Sequence, residues 1–536
     1  MILPRKPSSE TLPFALSVVV LVALSFSWLL STFVSYTMDE FLVYHALACQ
    51  TQPFSNMWNR GREACGVYDL ALLPWLTPKP FFLPLRTYPY VGSIQGLFYS
   101  PLYWIWNSPS SARFFGVFLV GVQGILICRI FGQSLLLVLP LLFVFMPYVL
   151  QHLLDVGQLS LCTTAIFFLV LLHKRWMEGL ISNRRYSWWM ATSVGITNVA
   201  ILWFRLNNVA YFPAYLLMQA ACISVFGFRI AWRLRRSTFM WQGAWIIGIF
   251  VTGAFLWFSA IDRGGSPLYS LILDSASRSA AGQTPFLVKA WNHFHHDLSK
   301  YFANPLLAAH VEHDVDIDSS AEGLGLFMVV ITLLISNWRT PRASRYNLFS
   351  IACITAFLGG IASISGISNS WGMHHLIPIF PLLILAIFSQ IPRRGMSRLQ
   401  MFLLLCFAII NVRLYTKLAQ LKPLNESFDR RLIDLNEEIN RKFAKSHFMI
   451  IGSWGIYYTK LVYGPNDQSL IYADVGDARA IAAAERADNA AKKPALFIIQ
   501  GKPPDEYWGN FAERIEEVPT EVKVGSWKLW REVVPR

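Results

Sequence analysis

Two adjacent carboxylates, Asp39 and Glu40, close a long apolar run in STFVSYTMDEFLVYHALACQ, residues 31–50, and His45 follows shortly after. One acid after an apolar run is an ordinary solvated loop start. Two acids leading into FLVYHALACQ are less ordinary, because that stretch keeps a helical periodicity and reads as an amphipathic segment on a membrane surface. A carboxylate held at that depth is partly desolvated. Its pKa rises towards a value suited to a general base, and ionisable groups at membrane depth are functional hypotheses by default. Asp39 and Glu40 are therefore the catalytic candidates.

The elements that must position these acids follow from composition. Of 536 residues, 54% are hydrophobic and 15% charged, with 20 Trp and 39 Phe; soluble domains carry about 25% charged residues. The mean hydropathy is +0.41. These values place the chain among polytopic membrane proteins. Residues 12–34 carry no charge and reach about 34 Å as a helix, enough for a hydrocarbon layer of about 30 Å. The run is too long for a signal-peptide core and reads as an uncleaved first span. Further apolar runs lie near 112–128, 134–151, 158–173, 187–204, 209–228, 240–261, 323–338, 347–366, 374–391 and 399–416, which predicts about 11 transmembrane helices.

Lysine and arginine set the orientation. Arg5 and Lys6, Arg129, Lys174, Arg175, Arg184, Arg185, Arg229, Arg233, Arg235, Arg236, Arg339, Arg342, Arg345, Arg393, Arg394 and Arg398 all fall on one side. The short loops of the other side, near 152–157, 205–208 and 367–373, hold only Arg205. The amino terminus is thus expected in the cytoplasm. The net charge of +14 is largely this bias, so nucleic-acid binding is discarded. Three long segments are expected outside: 35–111, 262–322 and 417–536.

The last of these is polar enough to fold in water. HFMIIGSW, SLIYADV and PALFIIQG read as short buried strands and DARAIAAAERADNAA as a helix, which predicts a C-terminal extracytoplasmic α/β domain over 417–536 behind a transmembrane module of 1–416. Residues 417–446 read as a charged connecting helix. GSWG after the first strand is a faint phosphate-loop echo without G-x-G-x-x-G. Five of the seven cysteines lie in or beside spans. Cys49 and Cys65 share an external loop, where a disulfide and two free thiols are both open. His293, His295, His296 and Asp297, with HVEHDVDID at 310–318, form a metal-like cluster that reads more simply as a solvated loop or an acceptor-binding surface.

FFLPLRTYPYVGSIQGLFYSPLYWIW, 81–106, is aromatic, broken by Gly and Pro, and carries the single charge Arg86. It reads as a re-entrant or surface-lying segment. An apolar first span, a DE pair at its outer end and then YPYVGSIQGLFYSPLYWIWNSPSSARFFGV resemble the GT-C fold glycosyltransferases. The likeness is nearest to the branch of protein O-mannosyltransferases and aminoarabinose transferases, where a Tyr-Gly element and a proline precede an arginine at the second span; Tyr90, Gly92, Pro101 and Arg113 match. WGMHHLIPIFPLLILA, 371–386, resembles a late-span motif of the same enzymes. The residue-level likeness is confined to about 35–115 and 371–386.

The resemblance implies inverting transfer of one sugar from a polyprenyl-phosphate donor to an acceptor on the extracytoplasmic face of the inner (plasma) membrane. Asp39 would take the acceptor's proton, with Glu40 orienting base or acceptor. The lipid-phosphate leaving group needs positive charge or donors at that face. The expected substrate-binding set is His45, Arg86, Tyr90, Asp155, Arg205, His374 and His375. Simpler roles stand beside these: Arg205 as a snorkelling anchor, His374 and His375 bonded to backbone, Asp155 as a helix cap. The segments that carry the resemblance, about 35–115 and 371–386, hold no DxD or ExD pair of the kind found in the metal-dependent, oligosaccharide-transferring relatives, so no metal and no other cofactor is expected. The HH pair stands where relatives carry Arg or Lys. A transporter or flippase is the first alternative, but it calls for charge at the membrane midplane, which is nearly absent. A non-catalytic scaffold that retains the fold is the second. Sugar, polyprenol and acceptor (glycan, lipid or protein) are left open.

Overall fold

The structure, a computed structural model, describes residues 69–72, 81–84, 86–88, 91–92, 98–99, 101–102, 105–106, 109–144, 158–182, 186–204, 208–228, 232–262, 344–367, 378–391, 402, 405–406, 409, 431–443, 445–451, 470–472, 494–500, 515–523 and 527–533. The chain divides into two compact units, each treated by itself: Met1–Phe26, Pro89–Gln95 and Phe114–Lys422 in the first, Ser27–Tyr88, Gly96–Arg113 and Pro423–Arg536 in the second. The expected spans at 12–34 and 323–338, and the expected helix at DARAIAAAERADNAA, lie outside the described residues.

The first unit is helical. Its helices are α1 (Pro109–Phe131, whose first residues belong to the second unit), α2 (Leu135–Val144), α3 (Gln158–Ile181), α4 (Ser187–Phe204), α5 (Asn208–Phe226), α6 (Trp232–Asp262), α7 (Ser344–Ile367) and α8 (Phe380–Gln390). Among the described residues, four stretches are long and apolar enough to cross a membrane: Arg113–Phe131, Asn208–Phe226, Arg236–Leu256 and Arg345–Ser363. These are the helices of a membrane protein. Gly132, at φ 73°, stops α1 in the left-handed conformation, and its N–H returns to the Cys128 carbonyl at 2.7 Å, a common helix ending.

Two helices outrun the apolar stretches that announced them. α3 continues to Ile181, past Lys174 and Arg175, because Trp176, Met177 and Leu180 pack with Ala191 of α4 into a buried cluster. α6 starts at Trp232, eight residues before its apolar run at 240, since a helix needs only a satisfied backbone and tolerates Arg233, Arg235 and Arg236 at its end.

α4 and α6 run parallel and interlock through glycine. Gly195 of α4 faces Ile249 of α6, and Gly253 of α6 faces Val199 of α4. Small residues permit such close approach where lipid removes the hydrophobic drive. A Cβ at Gly253 would stand 2.5 Å from Val199 Cγ2 and 2.8 Å from its Cγ1, and a β-branched side chain in a helix has no second rotamer to retreat to. Gly253→Leu should therefore cost about 1–2 kcal/mol in a denaturing-detergent titration. Gly248→Leu, with nothing within 4 Å of its added Cβ, should leave the midpoint unchanged.

In the second unit, β1 (Asp69–Leu72) and β2 (Phe81–Pro84) form an antiparallel pair. β5 (Phe448–Ile451), β6 (Leu470–Tyr472), β7 (Ala495–Gln500), β8 (Ile515–Val518) and β9 (Trp527–Glu532) form one sheet in the order β6-β5-β7-β9-β8, after helix α9 (Arg431–Phe443). Strands β5 to β7 fall within the three segments read as strands. β8 and β9 were not foreseen. β8, IEEV, shows its glutamates to solvent and pairs them with Arg531 and Lys528 across the register of β9, so no apolar alternation marks it. Two further short strands are described, β3 (Arg86–Tyr88) in the second unit and β4 (Val91–Gly92) in the first.

Glu438 of α9 fastens that helix to the β8–β9 connection. It is 5% exposed and accepts from the N–H groups of Glu521 and Val522, each at 2.9 Å, and from Lys442 Nζ at 2.8 Å. Burial alone would raise its pKa; the Lys442 ammonium and the two backbone donors outweigh burial, and the carboxyl titrates below its ordinary value. A depressed carboxylate contributes stability above its unfolded pKa, near 4.3, and loses it as pH falls through the folded value. Glu438→Gln should thus cost about 1–2 kcal/mol at pH 7, read as faster hydrogen exchange at the Glu521 and Val522 amides. The gap between the two proteins should close below pH about 4.

Candidate functional site

Hydrogen bonds knit α3, α4 and α5 at one end of the helical unit. Asn208, the first residue of α5, donates from Nδ2 to the Ile201 carbonyl in the last turn of α4 and to Cys162 Sγ, 3.4 Å away in the first turns of α3. α7 runs antiparallel to α5: Arg345, at its start, lies over the Phe228 ring, 3.3 Å from the centroid, just past the end of α5, and the Phe349 ring packs at a tilt against Phe226. The far end of α7 is therefore at the Asn208 end. Tyr215 O–H of α5 donates to the Pro378 carbonyl at 3.0 Å, where the chain enters α8.

The consequence for the candidate residues is topological. Asp155 lies three residues before α3, Arg205 one residue after α4, and His374 and His375 between α7 and α8. The helix ends that adjoin all four share the Asn208 end. The basic residues gather at the other end, where Lys174 Nζ donates to the carbonyls of Arg129 and Ile130, both at 2.7 Å, capping α1.

Asp39, Glu40, His45, Tyr90, Asp155, Arg205, His374 and His375 themselves lie outside the described residues, as do Cys49, Cys65 and the histidine-rich segment near 293–296. Arg86 is described only in its backbone, within β3. Of the other residues that carried the resemblance, Gly92 closes β4, Pro101 is helical, and Arg113 is fully buried in the first turns of α1. In the same second-unit segment the hydroxyls of Tyr99 and Ser111, both fully buried, are hydrogen-bonded to each other. An arginine does not lose its charge on burial, so a fully buried guanidinium marks this segment as one with a dedicated polar environment. Among the described residues, no group of three or more His, Cys, Asp and Glu could hold a metal.

Polar groups that sequence reasoning passed over link the same helices below this end. Gln123 of α1 donates to Thr164 Oγ1 of α3 at 2.9 Å. His173 of α3 bonds Gln219 of α5, which exchanges two hydrogen bonds with Asn198 of α4. Trp176 Nε1 of α3 donates to Gln242 of α6 at 2.6 Å, and Gln242 donates to Ser187 Oγ of α4 at 2.9 Å. The available signal was each lone amide or imidazole inside an apolar run, since such groups turn inward to find partners.

No protein-family model matches the sequence, and no match to it was found among curated proteins. Among solved structures, the chain is similar to a cryo-electron microscopy structure of a mutant arabinofuranosyltransferase AftD from mycobacteria, with a TM-score of 0.45 and 12% identity. That comparison covers 100% of this chain and 42% of the mycobacterial protein, so the chain spans less than half of that protein's length.

Proposed function

We propose that the protein is an integral-membrane glycosyltransferase that moves a sugar from a polyprenyl-phosphate donor to an acceptor at the extracytoplasmic face. The observation that carries the reading is the Asp39–Glu40 pair that ends the uncharged run 11–38, followed by the Tyr90, Gly92, Pro101 and Arg113 pattern. The gathering of the helix ends next to Asp155, Arg205, His374 and His375 supports it. Those connections supply the cationic and polar side chains that a lipid-phosphate leaving group requires.

In this mechanism Asp39 accepts the proton of the acceptor hydroxyl as its oxygen attacks the anomeric carbon. The bond to the lipid phosphate breaks from the opposite side, and the configuration inverts. Glu40 orients the acceptor. His45, Arg86, Tyr90, Arg205, His374 and His375 serve donor and phosphate, and no metal enters the reaction. Asp155 contacts the substrates from the same face. Membranes containing the protein, supplied with a mixed pool of radiolabelled polyprenyl-phosphate sugars, should move label into a product that membranes lacking it do not form. Absence of such a product with every donor pool would overturn the reading.

A further inference from the structure

Three amides deep in the helical unit are used at both ends. Asn198 donates to the Val194 carbonyl and to Gln219 and accepts from Gln219. Gln219 also meets His173, and Gln242 accepts from Trp176 and donates to Ser187. Asn208 differs. It is 1% exposed, and its Nδ2 donates to the Ile201 carbonyl and to Cys162 Sγ. Both protons of that nitrogen are then spent. The Ile201 carbonyl can only accept, so the amide cannot turn over, and Oδ1 is held as a fixed acceptor. That oxygen is buried and has no partner among the described residues. Asparagine at a helix start ordinarily spends this oxygen on an N–H of the first turn; Asn208, which opens α5, does not. A desolvated acceptor left empty costs free energy, and one that forgoes the cap that would relieve it points to an incoming donor.

Hydrogen bonds and chain length tie this oxygen to the candidate residues. Tyr215 O–H donates to the Pro378 carbonyl at 3.0 Å, and the same hydroxyl meets the Cys162 thiol. Its one proton is spent on Pro378, so the thiol is the donor to Tyr215, and Asn208 Nδ2 donates in turn to Cys162 Sγ, 3.4 Å away. The donors run in one direction, from Asn208 through Cys162 and Tyr215 to the segment that follows His374 and His375. Pro378 comes three residues after His375, and Asn208 three after Arg205; three residues of chain reach at most about 11 Å. Asn208 is thus joined, by covalent reach on one side and by hydrogen bonds on the other, to both connections assigned above to the lipid phosphate.

We propose that Asn208 Oδ1 accepts a hydrogen bond from a hydroxyl of the sugar carried by the lipid phosphate, an inference that rests on the transferase reading above. The chemistry of the atom selects the group. An amide oxygen only accepts, so it repels the oxygens of a phosphate and takes a hydroxyl of the ring next to them. Because both protons of Nδ2 are committed to the protein, the oxygen needs no reorganisation when the sugar arrives. A ring that lacks the hydroxyl would leave it empty, which is how a built polar site rejects an analogue. Asn208 binds and orients the donor sugar and takes no proton.

The test is calorimetric titration of the full chain in detergent micelles with farnesyl phosphate and with farnesyl-phosphate-linked mannose, glucose, galactose and arabinose, no acceptor being present. The sugar-bearing lipid that binds most tightly is then compared with its monodeoxy analogues. The wild type should bind it more tightly than farnesyl phosphate, and one monodeoxy analogue should bind about tenfold more weakly than the complete sugar. Asn208→Leu should lose about tenfold on the complete sugar, nothing on farnesyl phosphate, and nothing further on that analogue. Asn208→Ser, which keeps a small polar group at the helix start but cannot reach as far, should repeat the pattern and guards against a fold lost to leucine. Equal weakening of farnesyl phosphate and the sugar-bearing lipid in the variants would overturn the proposal, because Asn208 would then act through the phosphate subsite or the fold. So would a hydroxyl whose removal costs the variants as much as the wild type, or the lack of any hydroxyl whose removal weakens binding. No binding of any probe by the wild type would overturn the transferase reading itself, and this proposal with it.

Discussion

Asp39→Asn should lower sugar transfer by about 10² to 10⁴-fold, the range that a positioned general base supplies. The substitution preserves size and hydrogen-bonding reach and removes only the ability to take a proton. Donor binding should therefore persist, and the loss should fall on the turnover number with the Michaelis constant little changed. Glu40→Gln should cost less, because an amide still orients an acceptor hydroxyl. Membrane insertion, read from the abundance of full-length protein, should match the wild type in both. Transfer by Asp39→Asn at the wild-type rate would remove Asp39 as the base and leave Glu40 or Asp155 to be tested next.

The second large effect is expected at Gln219. Its Oε1 accepts from His173 Nε2 at 2.9 Å and from Asn198 Nδ2 at 3.1 Å, while its Nε2 donates to Asn198 Oδ1 at 2.9 Å. Because Oε1 can only accept, His173 carries its proton on Nε2. Gln219→Leu would strand that N–H and the Asn198 carbonyl oxygen in an apolar interior, whereas Asn198 Nδ2 keeps the Val194 carbonyl. Two orphaned groups point to a loss of about 2–3 kcal/mol, after discounting for the modest hydrogen-bond energies measured inside bilayers. Replacing His173, Asn198 and Gln219 together by leucine should recover most of that loss, since no partner is then left behind. Unfolding in graded denaturing detergent reads both outcomes. A triple variant weaker than Gln219→Leu would show that shape at this level matters more than polar satisfaction.

Much of the membrane unit could be read from residue order alone. Apolar runs marked α1, α5, α6 and α7 because a helix crossing lipid must hide its backbone and present apolar side chains over its whole length. Their ends were less legible. α3 and α6 continue beyond their apolar runs where packing of Trp176, or the start of a helix rich in arginine, decides the boundary. In the second unit, HFMIIGSW, SLIYADV and PALFIIQG were legible as strands because they are buried apolar runs. β8 was not, since IEEV at the sheet edge is held by cross-strand ion pairs and a hairpin. The candidate site was legible as residue types at chain positions. The polar bonds beneath it were not, because partners such as His173 and Gln219 are 46 residues apart and no local spacing announces them.

Helix α3 is bound along its length by side chains of three other helices, through Gln123 of α1, Asn208 and Gln219 of α5, and Gln242 of α6. Hydrogen bonds at several heights act as a ratchet with its pawls engaged. A slip of α3 by one turn, about 5.4 Å, would break all of them together, and a rotation about its axis would do the same. α3 thus acts as a fixed post. Any opening that admits a long lipid tail to the Asn208 end has to come from elements carrying fewer such fasteners. α6 has most of its length open to the surroundings, and its described fastenings lie on α3 and α4, so its outer face is free to yield.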